Sequence, residues 1–254
     1  MDVLLQRQPN GTLSCPRSSD QILLSEPLRS HSFAELGEEI RKLKNGGIEL
    51  ISVRRQQVLR LGRERLQHML CLSGIQVGAV GYAGGFTGTL GPGFEQAVSD
   101  TRRAIELAAE LNAKAVVVLP GARGLHTWNH AGRTIRHGLE RCLDDALRFR
   151  VDIQIPLNSV IGRCNDVFEP QSMSPLDWIS EFDSHRIKGM MVLRGRSPWF
   201  KLPDCWKRCF LNGGMLRLSR RCREQEGRQK VISHIIRQLS QTSRSSNRLV
   251  TGSR

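Results

Sequence analysis

The sequence predicts an α/β fold with a parallel sheet, because three features recur between residues 46 and 158. Short apolar runs rich in Val, Ile and Leu occur at four places. Helix-length segments with apolar residues three and four positions apart separate these runs. Polar loops follow the carboxyl ends of the runs. Strands that alternate with such helices form βαβ units, and parallel sheets bind their ligands at the carboxyl ends of the strands.

Seven strands and six helices can be assigned in chain order. The predicted strands are Ile22–Leu24, Ile48–Val53, Ile75–Val80, Lys114–Leu119, Val151–Leu157, Ile187–Leu193 and Gly214–Leu218. The predicted helices are 33–44, 56–72, 94–111, 131–149, 175–182 and 224–239. The count of about seven strands is one short of the eight in a complete (β/α) barrel.

Start and stop signals delimit several of these helices. Ser32 and Glu35 match a capping box at the start of the first helix, which ends at Gly46-Gly47. Ser73-Gly74 stops the second helix. The strand Lys114–Leu119 lies between the third and the fourth helix. Pro175 lies in the first turn of the short fifth helix, where proline is favoured.

The length of 254 residues fits one barrel or two smaller domains with a substantial core. Residues 1–20 are predicted to be a disordered tail, 21–240 the folded domain, and 241–254 a second disordered tail of low complexity. The chain has no apolar run long enough for a membrane helix and no signal peptide, so a cytoplasmic location is expected, with no membrane partner. The seven scattered cysteines are then reduced, and Cys71 and Cys142 are predicted to be buried thiols.

The basic charge is concentrated in the last part of the chain. Residues 186–254 hold 17 of the 38 Lys and Arg but only three of the 24 Asp and Glu, so the whole net charge of +14 lies there. Such asymmetry indicates an anionic partner, such as nucleic acid, a membrane surface or a phosphorylated ligand. The alternative is a solvated basic face followed by a disordered tail.

Four segments resemble a known family. They are Gly47–Arg55 (GIELISVRR), Ala83–Gly88 (AGGFTG), Ala104–Leu119 and Gly124–Ala131 (GLHTWNHA). In this order and spacing they resemble the sugar phosphate isomerases/epimerases, which are xylose isomerase-like TIM barrels. The resemblance covers residues 32 to 158. It implies a (β/α) TIM-type barrel, here incomplete, with about seven strands.

The resemblance also implies a divalent metal (Mn, Co or Mg) at the mouth of the barrel. The family holds it with a Glu after the fifth strand, an Asp and a His near the sixth, and a Glu on the eighth. The metal polarises a sugar carbonyl and its neighbouring hydroxyl. A pair of glutamates then moves a proton on the adjacent carbon.

This chain departs from the family at these ligand positions. The fifth strand, Ile153–Leu157, has no Glu, and the sixth-strand motif has no counterpart. Met190–Gly195 resembles the seventh strand of the family, which implies that one βα unit is lost. The last strand offers Arg217 and Ser219 where a Glu is expected. The sequence therefore predicts no bound metal and no other cofactor.

Most candidate site residues follow the predicted strands, whereas Glu49 lies within the second strand. Glu49, His126 and His130 are the candidate catalytic residues, since a carboxylate or an imidazole can move protons. The candidate ligand-binding residues are Arg54, Gly84, Gly85, Asn129, Asn158 and Arg194. An arginine at a strand end can hold a phosphate or carboxylate, and glycines let the backbone approach a small polyol. Alternation directs only one of Arg54 and Arg55 inward, and the sequence does not decide which.

The sequence favours a barrel that binds a small polyhydroxylated or phosphorylated ligand and has lost or altered its metal-dependent isomerase activity. Such a protein is a pseudoenzyme, or an isomerase/epimerase with His or Glu49 as its base. The alternative is a non-catalytic barrel whose basic C-terminal third binds nucleic acid or another polyanion. A third hypothesis is a gene lesion after residue 186. The sequence does not indicate the substrate or the oligomeric state.

Overall fold

The computed structural model describes residues 24–30, 32–45, 49–156, 179, 181–182, 184–193 and 215–218. Within these residues seven parallel strands form a closed barrel in chain order, and the last strand pairs with the first. The predicted incomplete (β/α) barrel of about seven strands is confirmed.

Strands and helices alternate around this barrel. The strands are β1 (Leu24–Pro27), β2 (Leu50–Arg54), β3 (Gln76–Gly84), β4 (Ala115–Leu119), β5 (Asp152–Pro156), β6 (Ile187–Leu193) and β7 (Met215–Leu218). The helices in the described part of the chain are α1 (Phe33–Asn45), α2 (Arg55–Leu61), α3 (Arg63–Ser73), α4 (Phe94–Glu110) and α5 (Trp128–Phe149).

Several elements differ from their sequence-based bounds. The first strand, expected at Ile22–Leu24, is Leu24–Pro27. The helix expected over 56–72 is two helices, because Gly62 between them has a φ of 78°. Strand β3 continues to Gly84, since Gly81–Gly84 still pairs with β4 despite its poor strand propensity. Helix α5 begins at Trp128, where the Thr127 hydroxyl caps it by accepting from the His130 N–H at 3.2 Å.

The barrel closes directly from β5 to β6. Ile153 is in register with Ile187 and Pro156 with Met190, so no strand intervenes between these two in the ring. Strand β6 then pairs with β7 and β7 with β1. This ring has the number of strands expected from the loss of one βα unit.

The two faces of the sheet bury different side chains. The outward residues pack against the helices in the main core; they include Ile51, Val53, Val80, Val116, Val118, Ile153 and Ile155. The inward residues Ala79, Ala115, Val117 and Met190 form a smaller cluster along the barrel axis, which we call the axial cluster. Except for Met190 these side chains are small, which suits the position because a barrel becomes narrower as its strand number falls.

Several sequence-based expectations lie outside the described residues. They are the two tails, the last helix and most of 175–182, together with Asn158 and Arg194. The domain limits 21–240 stay a prediction. Cys142 is buried as expected, but Cys71 is exposed on α3, so that expectation was wrong. Among the helices that the structure describes, none is long and apolar enough to cross a membrane.

Candidate functional site

The glycine loop after β3 packs tightly against the end of β4. Gly84 has a φ of 104°, and a Cβ there would lie 2.2 Å from the Leu119 carbonyl oxygen, so only glycine fits. The Gly85 N–H donates to the same Leu119 oxygen at 2.7 Å, and the Phe86 N–H donates to the Pro120 oxygen at 2.9 Å. The glycines thus serve a contact within the chain.

The N–H groups of this loop already have acceptors. The Gly84 N–H donates to the Thr101 hydroxyl at 3.1 Å, and the Gly88 N–H donates to the Gly85 oxygen at 2.9 Å. Because the Gly85 and Phe86 N–H groups are also engaged, these four groups do not form a phosphate cradle. Gly84 and Gly85 bring the loop close to the mouth but offer a ligand no backbone donors.

Side-chain hydrogen bonds join this loop to the loop after β4. His126 Nε2 lies 3.1 Å from the Thr87 carbonyl oxygen, and the Ala122 N–H donates to the Thr89 hydroxyl at 2.9 Å. We call residues 84–92 and 120–127 together the joined loops. A carbonyl oxygen can only accept, so His126 carries its proton on Nε2 when neutral, and Nδ1 is then the basic atom.

Three predicted site residues, His126, Asn129 and His130, lie where the joined loops enter α5. The rings of His126 and His130 are 4.8 Å apart between centroids. His126 is half-buried, whereas Asn129 and His130 are exposed. Since they follow β4, these side chains stand at the carboxyl end of the barrel, where parallel-strand barrels bind their ligands.

The structure decides between the two arginines at the end of β2. Arg55 pairs with Asp100 of α4 through both of its terminal nitrogens, one of them at 2.6 Å, so it lies on the outer surface. Val53 packs in the main core on the same outer side. Arg54 lies between these two outward residues, is exposed, and therefore faces the barrel mouth.

Glu49 lies at the wrong end of the barrel for the predicted role. It precedes β2 and is exposed, and its carbonyl oxygen accepts from the Gln76 N–H at 2.8 Å. Arg54 lies five positions further along the strand, a length of about 16 Å. Glu49 is therefore not brought together with His126 and His130, and it cannot act as a base at the carboxyl mouth.

Polar residues inside the barrel were missed by the sequence reasoning. Ser52 is 5 % exposed and Gln154 is 1 % exposed, and neither the Ser52 Oγ nor the Gln154 Oε1 has a hydrogen-bond partner. Their chain neighbours all pack outward, so both side chains point to the barrel axis. A polar residue inside a run of Ile and Val was the available signal. Tyr82, the single tyrosine, packs against the axial cluster and was also missed.

The described residues of the mouth do not fit a divalent metal of the implied kind. Within the described ranges no group of three or more His, Cys, Asp and Glu residues lies together. Mn, Co and Mg sites need carboxylate or imidazole ligands in such groups. The inward carboxylate of Asp152 belongs to the opposite end of the barrel, where it pairs with Lys188 at 2.7 Å and Arg186 at 3.0 Å.

Solved structures with the same fold include sugar-converting enzymes and a nuclease. The 3-keto-D-glucoside 4-epimerase YcjR from E. coli is 13% identical, with 79% of this chain and 80% of that chain covered and a TM-score of 0.58. A D-psicose 3-epimerase is 13% identical, with 78% and 84% covered and a TM-score of 0.57. An AP endonuclease of family 2 from Brucella melitensis is 11% identical, with 78% and 80% covered and a TM-score of 0.58.

These similarities establish the fold. The chain has the fold of the xylose isomerase-like TIM barrels, and its low identity to them is that of a divergent sequence. No protein-family model matches the chain, and no curated protein matches it. The resemblance seen in the sequence is thus confirmed as a resemblance of fold.

Proposed function

We propose that this barrel binds a small polyhydroxylated or phosphorylated ligand at its carboxyl mouth, and that binding requires no divalent metal. The main support is that Arg54, His126, Asn129 and His130 all lie at or after strand ends on this side of the barrel, where the His126 and His130 rings lie 4.8 Å apart. Hydrogen-bonding and cationic groups at the carboxyl ends of parallel strands suit a ligand with hydroxyl groups and negative charge. Asn158 and Arg194, which also follow strands, stay predicted members of the site.

Sugar-converting proteins of the same fold support this class of ligand. The D-psicose 3-epimerase structure was determined in the presence of D-fructose, and a D-allulose 3-epimerase structure contains D-allulose. The identities of these proteins are too low to transfer a substrate. They support a sugar-like ligand in general, without naming which one.

Any proton transfer at this mouth would use His126 or His130. His126 Nε2 is engaged by the Thr87 carbonyl oxygen, so Nδ1 is the atom that would take a proton. The described residues supply no carboxylate pair at this end. We therefore propose that the metal-dependent isomerisation of the fold family is lost here, or replaced by histidine chemistry.

Thermal unfolding of the full chain with a panel of sugars and sugar phosphates tests ligand binding. A ligand that binds the folded state raises the midpoint, by an amount set by its concentration relative to Kd. His130→Ala should reduce the shift, whereas His68→Ala, at an exposed position on α3 away from the mouth, should not. No shift with any sugar or sugar phosphate would refute the proposal.

A second candidate function is polyanion binding by the basic segment 186–254. It is favoured by the charge asymmetry of the sequence, and an endonuclease shares the fold. Binding of a labelled oligonucleotide measured at increasing salt discriminates the two. Affinity that falls steeply with salt would favour the polyanion function, because phosphate contacts release counterions.

A further inference from the structure

Arg29 presents an unusual buried cation just after β1. Its Nε and Nη2 atoms are buried and have no hydrogen-bond partner. These two nitrogens form one edge of the guanidinium, which is the edge that grips two oxygens of a carboxylate or phosphate side by side. A buried cationic edge without a partner is costly, so it indicates a missing anion.

The neighbours of Arg29 direct it towards the mouth of the barrel. Leu28 packs in the main core between sheet and helices. The Ser30 hydroxyl donates to Glu39 of α1 at 2.6 Å, on the same outer side. The Leu28 N–H still donates to the Ser52 oxygen at 2.8 Å, so the chain remains extended here. Alternation therefore places Arg29 on the inner side.

Arg29 and Arg54 lie side by side. Pro27 is in register with Ser52, and two further residues along each chain lead to Arg29 and Arg54. Adjacent strands are about 4.8 Å apart, so the backbones of the two arginines are neighbours at this edge of the mouth. Like charges this close repel each other unless an anion lies between them.

One buried side chain fixes both arginine positions. Gln57, which is 2 % exposed, donates from Nε2 to the carbonyl oxygens of Leu28 at 2.9 Å and Ser30 at 3.2 Å. Its Oε1 accepts from the Arg54 N–H at 2.9 Å. The Glu39 carboxylate also accepts from the Arg29 N–H at 2.9 Å. The backbone around the two arginines is thus held before any ligand arrives.

The barrel axis below them offers neutral partners. Ser52 is in register with Ala79, and Gln154 is in register with Val117, so both flank the axial cluster. The unpartnered Gln154 Oε1 is a hydrogen-bond acceptor, so it can bind a hydroxyl group of a ligand but repels an anion. The inner wall of the mouth is therefore cationic at Arg29 and Arg54 and neutral and polar beneath.

We propose that Arg29 and Arg54 clamp the phosphate of a phosphorylated polyol, whose hydroxyl chain extends towards Ser52 and Gln154. This inference rests on the proposed function and specifies its ligand as an anionic polyol. A carboxylate would satisfy the same guanidinium edge, so the experiment compares both anions. Arg29 and Arg54 are binding residues, and Gln57 is a positioning residue.

Calorimetric titration of the full chain tests the clamp. The probes are D-erythrose 4-phosphate, D-ribulose 5-phosphate, D-fructose 6-phosphate, D-fructose, D-gluconate and inorganic phosphate. The best sugar phosphate should bind more tightly than D-fructose, and Arg29→Gln or Arg54→Gln should weaken it about tenfold to a hundredfold. Arg29→Lys keeps the positive charge but lacks the guanidinium edge that binds two oxygens. Its affinity for the sugar phosphate should lie between those of wild type and Arg29→Gln. Arg63→Gln removes the same charge beside Glu110 on the outer helices and should change nothing.

The outcomes separate this inference from the proposed function. Arginine variants that bind the sugar phosphate as tightly as the Arg63→Gln control overturn the clamp, and so does wild-type protein that prefers D-fructose. In both cases a sugar-binding barrel survives. Tightest binding of D-gluconate identifies a carboxylate and overturns the phosphate assignment. Wild-type protein that binds none of the probes overturns both proposals. An unchanged or higher melting midpoint of Arg29→Gln without ligand supports the clamp, because no partner of Arg29 is lost.

Discussion

At the scale of single residues, buried polar atoms determine how the first two strand ends are held. The Gln57 side-chain amide makes hydrogen bonds through both its Nε2 and its Oε1 to three backbone groups around Arg29 and Arg54. Its hydrogen bonds are all made inside the protein, whereas the Ser52 Oγ and the Gln154 Oε1 have no hydrogen-bond partner. The first kind of residue stabilises the fold, and the second is available to a ligand.

Replacing Gln57 by Ala should destabilise the fold. The change leaves the Leu28 and Ser30 oxygens and the Arg54 N–H without their partner, which should cost about 2–4 kcal/mol of unfolding free energy. Urea unfolding measures this loss. Gln56→Ala, one residue earlier and exposed, is the control and should have little effect. Equal stability of the two variants would show that the Gln57 bonds contribute nothing.

The two described cysteines should differ sharply in reactivity. Burial raises the pKa of the Cys142 thiol to about 12, so the reactive thiolate is scarce at neutral pH. Cys71 is exposed on α3. Mass spectrometry after brief treatment with iodoacetamide at pH 7.5 should find Cys71 modified and Cys142 intact until urea is added. Modification of both at the same rate in the native protein would contradict the burial of Cys142.

The sequence revealed some site residues better than others. His126, Asn129 and His130 stand out because a polar cluster after an apolar strand is visible in one dimension. The direction of Arg54 could be decided only because Asp100, which lies 45 positions beyond Arg55, holds Arg55 outward. Glu49 was assigned a catalytic role although it lies just before the start of β2, at the end away from the mouth. Arg29 carried no signal at all.

At the scale of elements, packing between the joined loops and α5 sets the shape of the mouth. Phe86 of the glycine loop is fully buried, and a Cβ on Gly138 of α5 would lie 2.5 Å from its ring. The helix therefore rests directly on the aromatic ring. This close approach positions the start of α5, and with it His130.

Gly138→Ala should lower stability although alanine is the better helix former. The added methyl group overlaps the Phe86 ring, and such overpacking costs about 1–3 kcal/mol. Gly132→Ala on the same helix is the matched control: nothing lies within 4 Å of its Cβ. It should stabilise the protein by about 0.5–1 kcal/mol. Thermal unfolding of both variants checks the contrast, and a stabilised Gly138→Ala would contradict the packing of α5.

The elements themselves were largely predictable, since periodicity alone located most of them. Their ends were less so. Gly62 breaks a continuous helical pattern through its positive φ, and glycine within a helix is often tolerated. The end of β3 contains Gly81 and Gly84, and it remains a strand only because β4 pairs with it. Tertiary pairing of this kind is not encoded in local propensity.

At the scale of the whole molecule, the two ends of the barrel differ in charge chemistry. The amino end contains a compensated cluster, in which Asp152 pairs with Lys188 and Arg186. The carboxyl end contains Arg29 and Arg54. The Nε and Nη2 atoms of Arg29 have no hydrogen-bond partner. This difference predicts that the ion pairs of the amino end stabilise the fold and that the arginines of the carboxyl end bind the ligand.

Asp152→Ala should therefore destabilise the protein and leave ligand affinity intact. The change leaves two partly buried cations unpaired, at a cost of about 2–3 kcal/mol. Denaturant unfolding gives the loss, and calorimetric titration of the remaining folded protein gives the affinity. A large fall in affinity for the sugar phosphate would contradict the assignment of binding to the carboxyl end.

Closure with seven strands was implied by the sequence only through the resemblance. The strand count came from periodicity, but direct pairing of β5 with β6 needs the three-dimensional ring. The basic segment after residue 193 was a strong sequence signal, and apart from β7 it lies outside the described residues. Its polyanion hypothesis thus stays a prediction from sequence.

The most direct test of the account is calorimetric titration of the wild-type chain with sugar phosphates, first in EDTA and then with added manganese. We expect saturable one-to-one binding with the same affinity in both conditions, because Arg29 and Arg54 supply the positive charge that a metal supplies elsewhere. Binding that appears only with manganese would contradict the metal-free mouth. Absence of binding in both conditions would contradict the proposed ligand class altogether.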